Sequence, residues 1–163
     1  IQEPSLFAKW VTPQLSKGTK MVDVGCGNGR DSLYFRSLGH YVTSIDSSET
    51  GYEFLTIADC TDFWYGNQTI YCRWLLHSID EANQEKFLRR ISNYGTNLFI
   101  ECRSDRDRVP AVIGNHYRRP INRAKLEDEL KRFGFWINYS REQRGWSPDG
   151  EDNPMLIRIV ASH

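Results

Sequence analysis

The sequence predicts an α/β fold, an open and mostly parallel twisted sheet with helices on both faces and an antiparallel hairpin at its C-terminal end. Three observations carry this. Apolar, strand-like runs alternate with helical patterns along the chain, the order that a parallel sheet with crossover helices requires. The first run, Lys20 to Val24, breaks into the alternate glycines Gly25, Gly27 and Gly29 and passes straight into a helical pattern. The last two runs, Phe135 to Tyr139 and Met155 to Ala161, read as an antiparallel pair, the second rich in β-branched residues.

The elements follow in order. Ser5 to Leu15 carries Leu6, Phe7, Trp10, Val11 and Leu15 at helical spacing, and Pro13 cuts it short. The helix Arg30 to Leu38 ends at Gly39, a C-cap, and Tyr41 to Ile45 is the second strand. Phe54 to Ala58 is a third strand with a difficulty. Only seven residues, Ser47 to Glu53, join it to the second, whereas parallel neighbours need a crossover of about a dozen or more. Either the crossover helix is lost and this edge of the sheet rebuilt, or the connection is longer than the sequence shows. Thr69 to Arg73 is a fourth strand, Glu81 to Asn93 a charged helix stopping before Gly95, Asn97 to Cys102 a fifth strand, and Arg123 to Arg132 a helix closed by Gly134.

Length and composition exclude several classes. A chain of 163 residues fits one domain, residues 1–163, and no linker or repeat divides it. Its 21 basic and 21 acidic residues cancel, so no global field draws it to nucleic acid or an anionic membrane. There is no apolar run long enough to span a bilayer and no signal peptide. Cys26, Cys60, Cys72 and Cys102 lie far apart without a C-x-x-C pair, which points to reduced thiols, a cytoplasmic setting and no metal site. The G-x-S-x-G, H-E-x-x-H and Cys–His signatures of other catalytic classes are missing.

Glycine lacks Cβ, so the G-x-G-x-G loop can turn tightly and bring main-chain N–H groups close to a ligand. The helix behind it aims its free N–H groups at the same place. The spacing is neither the dinucleotide G-x-G-x-x-G nor a P-loop. Val22-Asp23-Val24-Gly25-Cys26-Gly27-Asn28-Gly29 instead resembles the glycine loop of class I S-adenosylmethionine (SAM) dependent methyltransferases. The resemblance implies a Rossmann-like sheet, SAM as cofactor and S-adenosyl-L-homocysteine as its product. Asp23, Gly25, Cys26, Gly27, Asn28 and Arg30 then lie at the amino-acid part of the cofactor. Asp46, 17 residues after Gly29 at a strand end, stands where that family places its ribose carboxylate, with Ser47 beside it. A carboxylate there can accept from both hydroxyls of a cis-diol in the crevice beyond the strands, although alone it also reads as a turn acid. Ile57-Ala58-Asp59-Cys60 resembles the family's adenine element, with Asp59 accepting from the amino group and the Cys60 N–H donating to a ring nitrogen. Asp59 equally fits a surface turn. Arg73, at the fourth strand's end, completes the implied cofactor set.

Polar residues also collect beyond strands four and five. Arg73 and His77 stand four apart, as on one helical face. Glu101 and Arg103 follow an apolar run, His116-Tyr117-Arg118-Arg119 is an aromatic and basic cluster in a long loop, and Glu151-Asp152-Asn153-Pro154 can return acids to the same crevice. Singly, each also reads as an ion pair, a helix histidine or a solvated turn. Together they predict one acceptor pocket, with His77, Glu101 and His116 as candidate general bases and Arg73, Arg103, Tyr117, Arg118 and Arg119 as acceptor ligands. These segments resemble a bacterial methyltransferase subgroup associated with capsular and other surface-polysaccharide genes. That implies methyl transfer to an oxygen of a sugar, a sugar phosphate or a related small molecule. The Asn/Asp-Pro-Pro-aromatic tetrad of adenine N-methyltransferases is replaced by Tyr71-Cys72-Arg73-Trp74, which disfavours that chemistry. Two alternatives stay open: an RNA-modifying enzyme with Tyr117, Arg118, Arg119, Arg123 and Lys125 as a basic patch, and a non-catalytic SAM-binding module.

Overall fold

The computed structural model describes residues 2–94, 96–107, 112–113 and 116–163, without the side chains of residues 112, 113 and 116. Its strands are β1 (Lys20–Val24), β2 (Tyr41–Asp46), β3 (Leu55–Ile57), β4 (Thr69–Arg73), β5 (Asn97–Arg103), β6 (Val112–Ile113), β7 (His116–Tyr117), β8 (Trp136–Gln143) and β9 (Leu156–Ser162). Seven of them form one sheet in the order β3-β2-β1-β4-β5-β9-β8. The five strands from β3 to β5 run parallel, and β9 runs antiparallel to both its neighbours. The segment expected to be a long loop holds the small β6–β7 hairpin.

Strand residues alternate between two cores, as a pleated sheet dictates. Val22, Val24, Ile70, Cys72, Leu98, Ile100, Ile157 and Ile159 face the helices α3 (Glu81–Ile91) and α4 (Arg123–Arg132). Met21, Val42, Tyr71 and Phe99 face α1 (Leu6–Val11) and α2 (Arg30–Ser37). The helices read locally. Gln84, Phe87, Leu88 and Ile91 make the buried stripe of α3, while Asp80 and Asn122 cap α3 and α4 by accepting from the N–H groups of Asn83 and Lys125. Pro13 falls in a 3₁₀ turn, Thr12–Gln14, directly after α1.

The short connection to β3 is resolved by register. β3 has only three residues and pairs with the last three of β2, Leu55 opposite Ser44 and Ile57 opposite Asp46. The chain therefore climbs back about 7 Å, two residues of strand rise, and residues 47–54 do this through turns without a helix. The dozen-residue rule applies to strands that overlap along their length.

Candidate active site

The glycine loop sits where β1 meets α2, and Gly25, Gly27 and Gly29 take φ of +73°, +55° and +80°. Its N–H groups do not point into open space as expected. Gly25 and Cys26 both donate to the Ile45 carbonyl (2.8 and 2.9 Å), and Gly27 donates to Asp46 Oδ2 (3.0 Å). The loop is fastened to the end of β2, and what it offers a ligand is room, since a Cβ on Gly27 would meet nothing within 4 Å. Gly29 has a different task. A Cβ there would lie 2.4 Å from ring carbons of the buried Tyr52, which packs onto the loop.

Two lobes open beside this loop. The first, about 320 Å³, has Ile45, Ala58, Leu75 and Ile79 on its apolar side and Asp46, Ser47, Asp59 and Cys60 on its polar side. Half-buried Asp46 takes the Ser48 N–H at 3.3 Å on its other oxygen and keeps lone pairs on both. Asp59 is exposed, and the backbone N–H and hydroxyl of Thr61, both at 2.8 Å, hold its carboxyl below the usual range. Burial pushes the Cys60 thiol up to about 11 and that of Cys26 to about 12, so neither is a nucleophile near neutrality. The second lobe, about 220 Å³, is lined by Asp23, Cys26, Gly27, Asn28, Arg30, Asp31 and Arg73. Asp23 is buried and accepts from Ser32 Oγ at 2.6 Å, and desolvation pushes its carboxyl up to about 7. Gly25 and Trp74 line both lobes, which therefore meet there.

Asp31 was not singled out by the sequence, where an acid in a first helical turn reads as a partner of the helix dipole. In the structure it is buried and takes three donors, Ser5 N (2.7 Å), Ser5 Oγ (2.6 Å) and Tyr71 Oη (2.6 Å). Gln2 also accepts from Asn28 Nδ2 at 2.8 Å, so the segment before α1 is tied to the second lobe at two points.

Beyond Trp74 the sheet brings distant charges into one row. Arg73 of β4 stands opposite Glu101 of β5, and Glu101 opposite Arg158 of β9. Glu101 is buried and fully engaged: it accepts from Arg158 Nε (2.7 Å) and Trp74 Nε1 (2.8 Å), and Arg73 Nε lies 3.6 Å away. Burial raises its carboxyl, with Arg158 and Arg73 opposing. Its main-chain carbonyl also accepts from the Trp74 N–H at 2.7 Å, holding Trp74 at φ +61°. Trp74 is the one non-glycine residue at positive φ among the described residues. Glu101 thus fixes Trp74 and neutralises Arg158, and it is not free to act as the expected base. Arg158 is wedged against Phe7, Trp10 and Trp146 (5.3, 5.1 and 4.5 Å to the ring centroids). The Arg73 guanidinium lies 4.3 Å from the Trp74 ring centroid and that of Arg103 lies 5.1 Å from it. No sequence motif gives Trp74 or Arg158 a site role, yet a lone Arg inside Leu156-Ile157-Arg158-Ile159-Val160 is a visible signal of a paired charge.

The remaining candidates divide. His77 does not share a helical face with Arg73, because Arg73 ends β4 and His77 lies in a 3₁₀ turn, Leu76–Ser78. Its ring is buried, Nδ1 accepts the Arg103 N–H at 3.0 Å, and burial followed by the Arg103 charge lowers it to about 3. A neutral ring with its lone pair occupied cannot serve as a general base. Arg119 is a structural clamp and not an acceptor ligand, since it donates to the carbonyls of Leu76 and Ile79 (both 3.0 Å) and to Gln84 Oε1. This also removes it from a basic surface patch. Arg103 and half-buried Arg118 share a small cavity with His77, whereas Tyr117 is exposed. His116 belongs to β7, but its side chain lies outside the described residues. Among the described residues no group of three or more His, Cys, Asp or Glu could hold a metal ion, and no helix is long and apolar enough to cross a membrane.

A mostly parallel seven-stranded sheet with an antiparallel hairpin at one edge is a Rossmann-like architecture, and solved methyltransferase structures share the fold. A SAM-dependent methyltransferase from Methanosarcina mazei superimposes with a TM-score of 0.77 at 16% identity, covering 94% of this chain and 96% of that one. A TehB-like SAM-dependent methyltransferase from Corynebacterium glutamicum gives 0.73 at 17% identity, over 99% and 89%. The 1,6-didemethyltoxoflavin-N1-methyltransferase of Burkholderia thailandensis, solved with S-adenosylhomocysteine, gives 0.75 at 16% identity, over 96% and 76%. The chain belongs to the TehB family: the profile described as tellurite resistance protein TehB matches residues 10–118. A Haemophilus influenzae protein named "Probable S-adenosyl-L-methionine-dependent methyltransferase TehB" is 32% identical over 96 residues, 59% of this chain. The match spans 30% of the length of that relative.

Proposed function

We propose that this chain is a single-domain, SAM-dependent methyltransferase acting on a small oxyanion. The observation that carries the reading is the pair of lobes joined at Gly25 and Trp74, with guanidinium groups gathered behind the indole. The residues present fit the cofactor. The open space at Gly27 admits close approach, Asp46 stands ready for a ribose diol, and the apolar side of the first lobe suits adenine, with Asp59 at its rim. The second lobe carries both signs of charge, Asp23 for the ammonium and Arg30 and Arg73 for the carboxylate of an amino acid. When bound, SAM supplies a methyl group already activated on a sulfonium. What is left to the chain is to hold the acceptor in line and keep water out. Trp74 walls the junction of the lobes, and Arg73, Arg103 and Arg118 supply the field that holds an anion there.

An oxyanion such as the tellurite of the family's description attacks through its own lone pair and needs no proton acceptor. This agrees with His77 and Glu101 both being engaged elsewhere. A sugar hydroxyl, the acceptor implied by the polysaccharide resemblance, needs a base and is therefore the second reading. We also place the protein in the cytoplasm, where its four unpaired cysteines stay reduced. The test is calorimetric titration with SAM and S-adenosylhomocysteine, followed by transfer of labelled methyl to tellurite, with surface glycans assayed in parallel. Transfer to glycan but not tellurite would replace the acceptor. Absence of SAM binding would remove the reading entirely.

A further inference from the structure

The Arg103 guanidinium already holds an anion. Its Nη2 donates to Asp152 Oδ2 at 3.0 Å, and Asp152 comes from the connection between β8 and β9, 49 residues along the chain. The partners are anchored unequally, for the Arg103 side chain is 10% exposed and that of Asp152 56%. Arg103 is fixed by its N–H on His77 and by the Trp74 ring, and its Nε is buried without a hydrogen-bond partner among the described residues. Asp152 is held by main-chain bonds exchanged with Asp149 (2.7 and 2.9 Å), at the exposed tip of its turn. Three carboxylates lie among Arg73, Arg103, Arg118 and Arg158: Glu101 is committed to Arg158 and Trp74, and Asp107 accepts from Arg144 Nη2 and the Met155 N–H, both at 2.6 Å. The removable negative charge is that of Asp152.

We propose that Asp152 is a tethered counter-ion of the acceptor site, which occupies Arg103 until an oxyanion displaces it and so sets which anions bind. The inference rests on the oxyanion reading above. Asp152 makes one contact and leaves Nε bare, whereas an anion with several oxygens can engage both nitrogens of the guanidinium fork. A tethered group competes at an effective concentration on the order of millimolar. Chloride and simple carboxylates lose to it, and multidentate oxyanions win.

The test titrates tellurite, and sulfate as an anion that cannot be methylated, into the S-adenosylhomocysteine complex by calorimetry, using the parent, Asp152→Asn and Asp149→Asn. Asp152→Asn is expected to bind both anions at least fivefold more tightly and to become sensitive to chloride. Asp149→Asn removes a neighbouring charge without touching Arg103 and is expected to match the parent. Thermal melts and a second variant, Asp152→Ser, separate a local effect from misfolding. If the parent binds tellurite and Asp152→Asn binds it no better, Asp152 is only a structural ion pair and the proposal falls while the oxyanion reading stands. If S-adenosylhomocysteine binds but no form of the protein binds either anion, both fall.

Discussion

Replacing Gly29 with alanine adds one carbon at a position where the structure leaves no place for it. At φ +80° an L-residue costs about 1–2 kcal/mol in backbone strain. The new Cβ would also lie 2.4 Å from both Cγ and Cδ1 of Tyr52. Those atoms move only if the whole ring moves, and Tyr52 is buried and packed edge-on against Phe54 with centroids 5.8 Å apart. Overpacking of that kind costs about 1–3 kcal/mol. Together these give about 2–5 kcal/mol, and at roughly 2–4 °C per kcal/mol for a domain of this size the melting temperature falls on the order of 10 °C. Gly27→Ala is the counterpart, because a Cβ there at φ +55° meets nothing within 4 Å yet lies on the wall of the second lobe. It should lose only the strain, about 1–2 kcal/mol, while binding SAM about tenfold more weakly, a change of about 1.4 kcal/mol. Scanning calorimetry paired with SAM titration reads both quantities. Gly29→Ala melting with the parent would refute the seat of Tyr52 on the loop, and Gly27→Ala binding SAM like the parent would refute its place beside the cofactor.

Asp46→Ala should weaken SAM by about 1–3 kcal/mol, because it removes the proposed diol acceptor and also frees the Gly27 N–H that ties the loop to β2; unchanged affinity by calorimetry would return Asp46 to a turn acid. Folding raises the Asp23 carboxyl from 3.8 to about 7, so the folded state favours the protonated form. The stability this contributes is complete below about pH 4 and is lost as pH rises to about 7, at about 1.4 kcal/mol per unit. Asp23→Asn keeps an acceptor for Ser32 and removes the titration, so without cofactor it should gain steadily on the parent across that window, and a constant difference in denaturant titrations would sink the idea. Glu101→Ala leaves Arg158 buried and unpaired and should cost about 3–5 kcal/mol of stability. A variant that melts like the parent but turns over slowly would instead restore Glu101 as a base.

Local rules made much of the scaffold legible. β4 and α4 were delimited to the residue because a strand-like run and a closing Gly134 act within a few positions, and the structure adds Asn122 as the cap of α4. Half of the proposed cofactor cleft comes from one stretch for the same reason, since strand, glycines and acid from Lys20 to Asp46 form one continuous unit. On the side proposed for the acceptor, the structure shows the state of charged residues that the sequence named only by type. Glu101, His77 and Arg119 do gather near the cleft, but each is consumed by a partner that the sequence does not bring near it: Arg158 57 positions from Glu101, the Arg103 N–H 26 from His77, and the Leu76 carbonyl 43 from Arg119. The loss of the crossover helix before β3 was one of the two readings the residue count allowed, and the register shows why so short a link suffices, because a count ignores how far two strands overlap. Backbone preference and amphipathic period are properties of neighbours in sequence, so the chain by itself determines its elements and its glycine loop. Whether a buried charge is free or spent depends on which strand lies opposite, and at Arg73, Glu101 and Arg158 only the register of the assembled sheet decides that.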